Sequence, residues 1–510
     1  MSTPSTRFDF SADVPDATTL GRVHFIAIGG AGMSGVARVM LARGIRVTGS
    51  DAKDSLVLRA LAVEGADVHV GHDAALVDDV DTVVISSAIR ESNVELAAAR
   101  ARGLPVLHRS QALASLMQDR RRVAVAGANG KTTTTSMLTV ALQACGADPS
   151  FAVGGALAKH GTNAHHGTGE VFVAEADESD GSFLVYRPEV AIVTNVQPDH
   201  LDFYGSFEAV QDAYVRFART VAAGGLLVTC ADDEGSRALA EVARAEGVRV
   251  LSYGFHADSD VRLAEPAGSG LTSSADLHQA GAPVRRLQIG IPGRHNLLNA
   301  TAAFLAGTAG LGHDPAQLLA GLAGFTGTRR RFEPKGEADG VRVVDDYAHN
   351  PGKVAAVVET GVEQASPGRL VVVFQPHLYS RTRDFAGDLA AALSPADVVV
   401  VMDVYAARED PVPGISGALV ADRVGGRAET HYVPSWSQAA PTVAGLVRPG
   451  DLVLTVGAGD VTLVGPELLR LLAERQSTAP GGRAGGPAES GEAAGPAGPA
   501  GAAGPGGLDG

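Results

Sequence analysis

Residues 123–135 read VAVAGANGKTTTT. The apolar run Val123 to Ala126 suits a buried strand. The segment after Lys131, TTTTSMLTVALQACG, carries apolar residues at helical spacing. A glycine-rich loop between a strand and a helix is the setting that phosphate binding needs. Glycines let backbone N–H groups curl inward, and the helix N-terminus adds a favourable dipole. Lys131 can then reach the outer phosphates, and Thr132 can ligate Mg2+. The loop departs from G-x-x-x-x-G-K-T in one way: position 125 is Val, so its first glycine is Gly127 and the loop is short. The expected cradle for a nucleoside triphosphate is Gly127, Ala128, Asn129, Gly130, Lys131, Thr132 and Thr133.

Outward from this loop, strand-like apolar runs alternate with helical patterns over most of residues 20–470, which predicts α/β layers with mostly parallel sheets. A first unit opens at VHFIAIGGAGMSG and continues through IRVTGSD, ADVHV, DTVVISSA and LPVLH. A second opens at RRVAVAGANGKT and runs through VFVAEAD, VAIVTNV and GGLLVTC to a polar, turn-rich stretch near 253–287, which suggests a small β-rich excursion. The segment GRHNLLNATAAFLAGTAG reads as helix. A third unit holds VRVVDDYAHNP, LVVVFQP, DVVVVMDVY, ETHYV and DLVLTVGAG. The expected division is a stub at 1–19, a Rossmann-like domain at 20–118, a central P-loop domain at 119–326, a second Rossmann-like domain at 327–475 and a tail at 476–510. The tail is almost all Gly, Ala, Pro and small polar residues, too poor in large apolar side chains to offset chain entropy, so it is expected to be disordered.

The chain of 510 residues has a formal net charge of -15, which argues against nucleic acid or an anionic membrane as main partner. Its two cysteines, Cys145 and Cys230, cannot build a disulfide framework and fit a reducing compartment. The N-terminus shows no basic-then-apolar signal pattern, and no run is long enough to span a bilayer. A cytoplasmic protein is expected.

Gly30-Ala31-Gly32-Met33-Ser34-Gly35 matches G-x-G-x-x-G between a strand and a helix, with Asp51 closing the next strand. This is nearly a full dinucleotide fingerprint, and on its own it would suggest an NAD-dependent oxidoreductase. Two features weigh against that. Gly29 widens the turn, and the better phosphate loop follows in its own unit. Two nucleotides are expected, one being ATP and the other carrying a diphosphate.

Two strand ends should lie beside the triphosphate. VFVAEADESD ends in Glu175, Asp177, Glu178 and Asp180, where Mg2+ would be needed. VAIVTNVQPDHLD places His200 between Asp199 and Asp202. Either Glu175 or Glu178 could face the metal. Glu175 lies closer to the strand end and is preferred. His165 and His166 are read as having no role in the site.

GGAGMSG, GANGKTTTT, EADESD, TNVQPDH, GRHNLLNA, RRF, DDYAHNP, FQPHLYSRT and GAGD occur in this order. The ordered set, over about residues 20–465, resembles the Mur ligase family of peptidoglycan synthesis. GGAGMSG and EADESD favour the member that adds the first residue, L-alanine. The resemblance implies that ATP phosphorylates the lactyl carboxylate of UDP-N-acetylmuramate, and that the amine of L-alanine then attacks the acyl phosphate. It implies that Gly29, Gly30, Ala31, Gly32, Met33, Ser34, Asp51, Ser86 and Ser87 meet the UDP-sugar. Thr132 and Glu175 would hold one Mg2+, and His200 a second that is shared with the substrate carboxylate. His295, Asn296 and Asn299 would line the adenine pocket. Arg331 and Asp346 would approach the nucleotide from the third domain, and Tyr347, His377 and Arg381 would meet the amino acid. Lys131, His200, Arg331 and His349 would be the catalytic set.

Two departures stand out. Asn129 occupies a position that is often His in the family. Leu378 replaces the first Arg of the common FQPHRYTRT, so Arg381 is expected to take the alanine carboxylate, and affinity for alanine or discrimination against glycine and serine is expected to differ. A recycling ligase that attaches a preformed peptide to the same sugar is the alternative within the family. A non-catalytic nucleotide sensor is the alternative outside it.

Overall fold

The computed structural model describes residues 7–157, 161–269, 271–407 and 409–478. Residues 479–510, the bulk of the expected tail, lie outside them. Among the described residues there are three sheets. The first has five parallel strands, in spatial order Asp67–Val70, Val47–Asp51, Val23–Ile26, Thr82–Ile85 and Val106–His108. Order reverses at Val23–Ile26, and the glycine loop leaves that strand's carboxyl end, where open α/β sheets bind ligands.

The second sheet has ten strands. Arg121–Ala126 sits between Val190–Val193 and Val171–Glu175, parallel to both, so the phosphate loop and the two acidic strand exits share one edge. The turn-rich excursion forms three strands, Val261–Ser269, Thr272–Gln279 and Arg285–Ile289, whose antiparallel pairing extends the sheet on one side. The third sheet has six strands and is parallel except for its first strand, Glu333–Ala338, which pairs antiparallel to Val341–Asp346.

Central strands are apolar over most of their length because helices cover both faces. Leu370–Gln375 is buried throughout. One hydrophobic cluster joins the first two units: Val23, Met33 and Leu113 belong with Ala124, Phe172 and Phe183. Phe10 is buried in the same cluster, and both Phe8 and Phe10 pack on the His108 ring, with centroids 5.2 and 5.3 Å away. The segment before residue 20 is thus part of the packing, a role that a few aromatics in a non-periodic stretch do not advertise. The third unit's two clusters contain only its own residues. Among the described residues, no helix is long and apolar enough to cross a membrane.

Candidate active site

A cavity of about 710 Å3 opens where the three units meet. Gly30, Ala31, Gly32, Met33 and Ser86 line it from the first unit, Ala128 to Thr133, Glu175, His295, Asn296 and Asn299 from the second, and Arg331, Asp346, Tyr347 and His349 from the third. Gly29, Ser34, Asp51, Ser87, Gly127, His200, His377 and Arg381 are not part of this lining.

The triphosphate loop is shaped by its glycines. Gly127 has φ 131° and Gly130 φ 85°, a region costly to any residue with a Cβ. The strand exit at 194–197 holds the loop from beneath. Asn129 N–H donates to Asn195 Oδ1 at 2.8 Å, and its Nδ2 donates to Gln197 Oε1 at 2.8 Å. Lys131 heads helix Lys131–Ala144, and its Nζ donates to Gly127 O at 2.6 Å and Glu178 Oε1 at 2.7 Å. Burial opposes the ammonium, but the Glu178 and Asp177 carboxylates outweigh it and keep Lys131 charged.

Both candidate metal carboxylates lie beside this loop, with different partners. Glu175 accepts the Thr132 hydroxyl at 3.0 Å and the Gly154 N–H at 2.6 Å. Glu178 is buried. Its Oε1 pairs with Lys131 and its Oε2 has no hydrogen-bond partner. His200 Nε2 is 3.8 Å from Glu178 Oε1. Among the described residues, no three His, Cys, Asp or Glu side chains converge closely enough to form a metal cage of their own. The orphaned Glu178 oxygen and the Thr132 hydroxyl do suit a hard cation that takes its remaining ligands from phosphate and water.

The acidic run does not act as one cluster. Asp177 Oδ2 accepts from Arg109 Nη2 at 2.5 Å, and Asp180 meets His108 Nε2 at 3.3 Å and the Ser87 hydroxyl. These two acids tie the central unit to the first. Ser87 is spent on Asp180 and His108, while Ser86 stays at the cavity. Asp51 Oδ2 accepts the Gly29 N–H at 2.9 Å and so closes the first glycine loop.

The adenine-side residues lie on helix Arg294–Leu305. Asn296 Nδ2 donates to Pro292 O at 2.6 Å, and Asn299 lies against Gly130, where a Cβ would come 2.5 Å from its Oδ1. Burial lowers the His295 pKa to about 4, so its ring is neutral.

From the third unit, Arg331 Nη2 reaches Thr132 Oγ1 at 3.4 Å. Asp346 accepts the N–H groups of Phe332 at 2.8 Å and Ala348 at 2.7 Å, which fixes the turn that carries Arg331 and Tyr347. His349 Nδ1 donates to Tyr347 O at 2.9 Å, leaving the Nε2 lone pair free to accept. Burial first, then the Lys353 and Arg381 charges, keep this ring neutral. Arg381 Nη2 donates to Asp199 Oδ1 at 3.2 Å, and Asn350 Nδ2 to Asp199 Oδ2 at 3.1 Å. The Leu378 side chain is buried, and Leu378 N–H donates to Tyr405 O at 3.0 Å.

Several lining residues have no role in the sequence reading: Arg109, Thr194, Asn195, Gln197 and Lys353. Arg109 follows the strand LPVLH, and Asn195 lies in TNVQPDH. A rule that weighs every polar residue just past a parallel strand would have found both.

The chain matches the Mur ligase family, catalytic domain, over residues 22–121, the Mur ligase middle domain over 125–307, and the Mur ligase, glutamate ligase domain over 330–459. It belongs to the Mur ligase family. Within that family it is 55% identical over 479 residues to the UDP-N-acetylmuramate--L-alanine ligase of Saccharopolyspora erythraea, covering 92% of this chain and 96% of that one. It is 56% identical over 471 residues to the enzyme of the same name from Kineococcus radiotolerans, covering 91% and 99%. The crystal structure of UDP-N-acetylmuramate-alanine ligase MurC from Thermotoga maritima superposes with a TM-score of 0.75 at 30% identity, over 89% of this chain and 99% of that one.

Proposed function

We propose that this chain joins L-alanine to the lactyl carboxylate of UDP-N-acetylmuramate, with ATP converted to ADP and phosphate, in peptidoglycan precursor synthesis. The observation that carries the reading is one cavity faced by two phosphate loops, with Lys131 between them and the third unit. The assigned units are 20–118 for the UDP-sugar, 119–326 for ATP and 327–475 for the amino acid. The reaction belongs in the cytoplasm, where ATP and nucleotide sugars are made.

A carboxylate resists attack because its leaving group would be oxide. The lactyl oxygen therefore first attacks the γ-phosphorus, and the bond to the β–γ bridging oxygen breaks to release ADP. The neutral amine of alanine then attacks the acyl carbon. Phosphate leaves with the electrons of the C–O bond, and the amine's extra proton passes to solvent or a base. Phosphoryl transfer asks for position and charge neutralisation more than for covalent help. Lys131 and Arg331 supply charge at the β- and γ-phosphates. Thr132, Glu175 and His200, with the free Glu178 oxygen beside them, would hold magnesium. When bound, magnesium neutralises the phosphate oxygens. Asn296 and Asn299 set the adenine end. His349 Nε2 can accept from the alanine nitrogen. Arg381 takes the alanine carboxylate by exchanging Asp199 for it.

The test is phosphate release from MgATP with UDP-N-acetylmuramate and L-alanine added singly and together. Release should require both. Release with a tripeptide and not with alanine would assign the recycling reaction. No release, with NADH binding instead, would return the first loop to an oxidoreductase.

A further inference from the structure

Lys353 lies in the first turn of helix Pro351–Ala365, and it lines the cavity with Lys131, Arg331 and His349. The turn is held against the phosphate loop. Asn350 caps it, with Oδ1 accepting the Lys353 N–H at 2.9 Å while Nδ2 donates to Asp199. Gly352 faces the loop itself: a Cβ built there would lie 3.7 Å from Asn129 Nδ2 and 3.6 Å from Gln197 Oε1. The turn that carries Lys353 therefore lies beside the Asn129 and Gln197 side chains that brace the phosphate loop.

This is a costly place for a cation. The first turn of a helix is its positive end. Two further cations, Lys131 and Arg331, face the same space. Burial first, then the Lys131 and Arg331 charges, act against the ammonium. Asp199 and Glu178 offset them only in part, so the pKa falls to about 8. The other cations have partners: Lys131 pairs with Glu178, and Arg331 reaches Thr132. Among the described residues, Lys353 Nζ makes no hydrogen bond or ion pair, and Asp199 is engaged by Arg381 and Asn350. A half-buried, unmatched ammonium among other cations has the electrostatics of a site awaiting an anion.

We propose that Lys353 is a ligand of the transferring phosphoryl group, meeting the γ-phosphate of ATP from the third unit and staying with it on the acyl phosphate. The inference rests on the ATP-dependent reading above. A phosphoryl dianion matches the three cations together. It also favours the charged lysine, so Lys353 acts as a ligand and not as a base. Lys131 belongs to the second unit and Lys353 to the third. A γ-phosphate held by both would bridge the units, and ADP would not.

The test compares nucleotides that differ only at the γ-position. Wild type, Lys353→Met and Lys353→Arg are titrated by calorimetry with β,γ-imido-ATP and with ADP, in the presence of Mg2+ and UDP-N-acetylmuramate. Lys353→Met should weaken imido-ATP binding by about tenfold or more, the loss of one charge-assisted hydrogen bond. Its ADP affinity should stay within about twofold, and Lys353→Arg should keep most of the imido-ATP affinity. Equal losses for both nucleotides, or no loss for either, would overturn the proposal. If Lys353→Met does not fold, Lys353→Gln serves for the same comparison. Failure of the ATP reading itself would appear separately, as wild type that binds neither nucleotide.

Discussion

Gly127 shows what a single missing Cβ does here. A methyl at this position would sit 2.0 Å from Thr194 Oγ1 and 3.1 Å from the Asn195 N, at a backbone φ of 131°. Thr194 Oγ1 donates to Asn129 O, so the clash falls on a bond that shapes the phosphate loop. Gly127→Ala should therefore cost about 1–3 kcal/mol of local strain. We expect ADP affinity to fall by about tenfold or more, while binding of UDP-N-acetylmuramate in the first unit is retained. Calorimetry with each ligand decides this, and unchanged ADP affinity would mean that the loop does not need its glycine there. The same residues show what sequence alone could tell. The loop's glycines, Lys131 and Thr132 are contiguous, so spacing exposes them. Arg109 and Lys353 are single residues at the starts of helices. Only the fold brings them to the cavity: Arg109 is marked by nothing beyond its place just past a parallel strand, and Lys353 by no local pattern at all.

At the scale of elements, the parallel strands were legible because burial on both faces makes each one a continuous apolar run. What joins them was not legible. Glu95, buried at the start of helix Val94–Ala101, is one such joint. Its carboxylate lies 3.1 Å from His24 Nε2 on the first strand. It accepts the Ser50 hydroxyl of the second strand at 2.7 Å and the Asp73 N–H of the following loop at 3.2 Å, and it meets His72 Nδ1 at 3.0 Å. These partners are 22 or more residues away in sequence, so composition gives no hint of them. Burial works to raise the Glu95 pKa, but the hydrogen bonds from His24 and Ser50 and the His24 charge reverse this and leave it lowered. A lowered carboxyl adds stability that is present above its unfolded value and is lost as pH falls through the folded value. Glu95→Gln should thus destabilise the first unit near neutrality by about 1–3 kcal/mol. Its deficit against wild type should shrink as the pH drops below the ordinary glutamate value of 4.5. Thermal unfolding of both proteins across that range measures the gap. A deficit that stays constant with pH would mean that the charge is not what holds these strands together.

Across the whole molecule the contacts between units are unequal, and this decides which part should move. The first and second units share one hydrophobic cluster and the Arg109–Asp177 pair, so they should behave as one body. The third unit has its core to itself. Toward the second, among the described residues, it offers polar contacts: Arg381 and Asn350 on Asp199, Arg331 on Thr132, and a backbone bridge between Leu157 and Thr328. Small polar interfaces of this kind permit relative motion. The chemistry gives that motion a purpose, because an acyl phosphate must be kept from water. Both ends of the reacting pair also have to be in place before closure is useful. We therefore expect the radius of gyration from small-angle scattering to fall when UDP-N-acetylmuramate and β,γ-imido-ATP are present together, and to change less with either alone. The Asp199–Arg381 contact should favour the closed arrangement in the absence of ligands. Asp199→Ala should then expand the ligand-free protein and leave the doubly liganded one compact, since phosphate contacts from Arg331 would take over. A radius that no ligand alters, in wild type and variant alike, would mean that the third unit is fixed and that the cavity excludes water without closing.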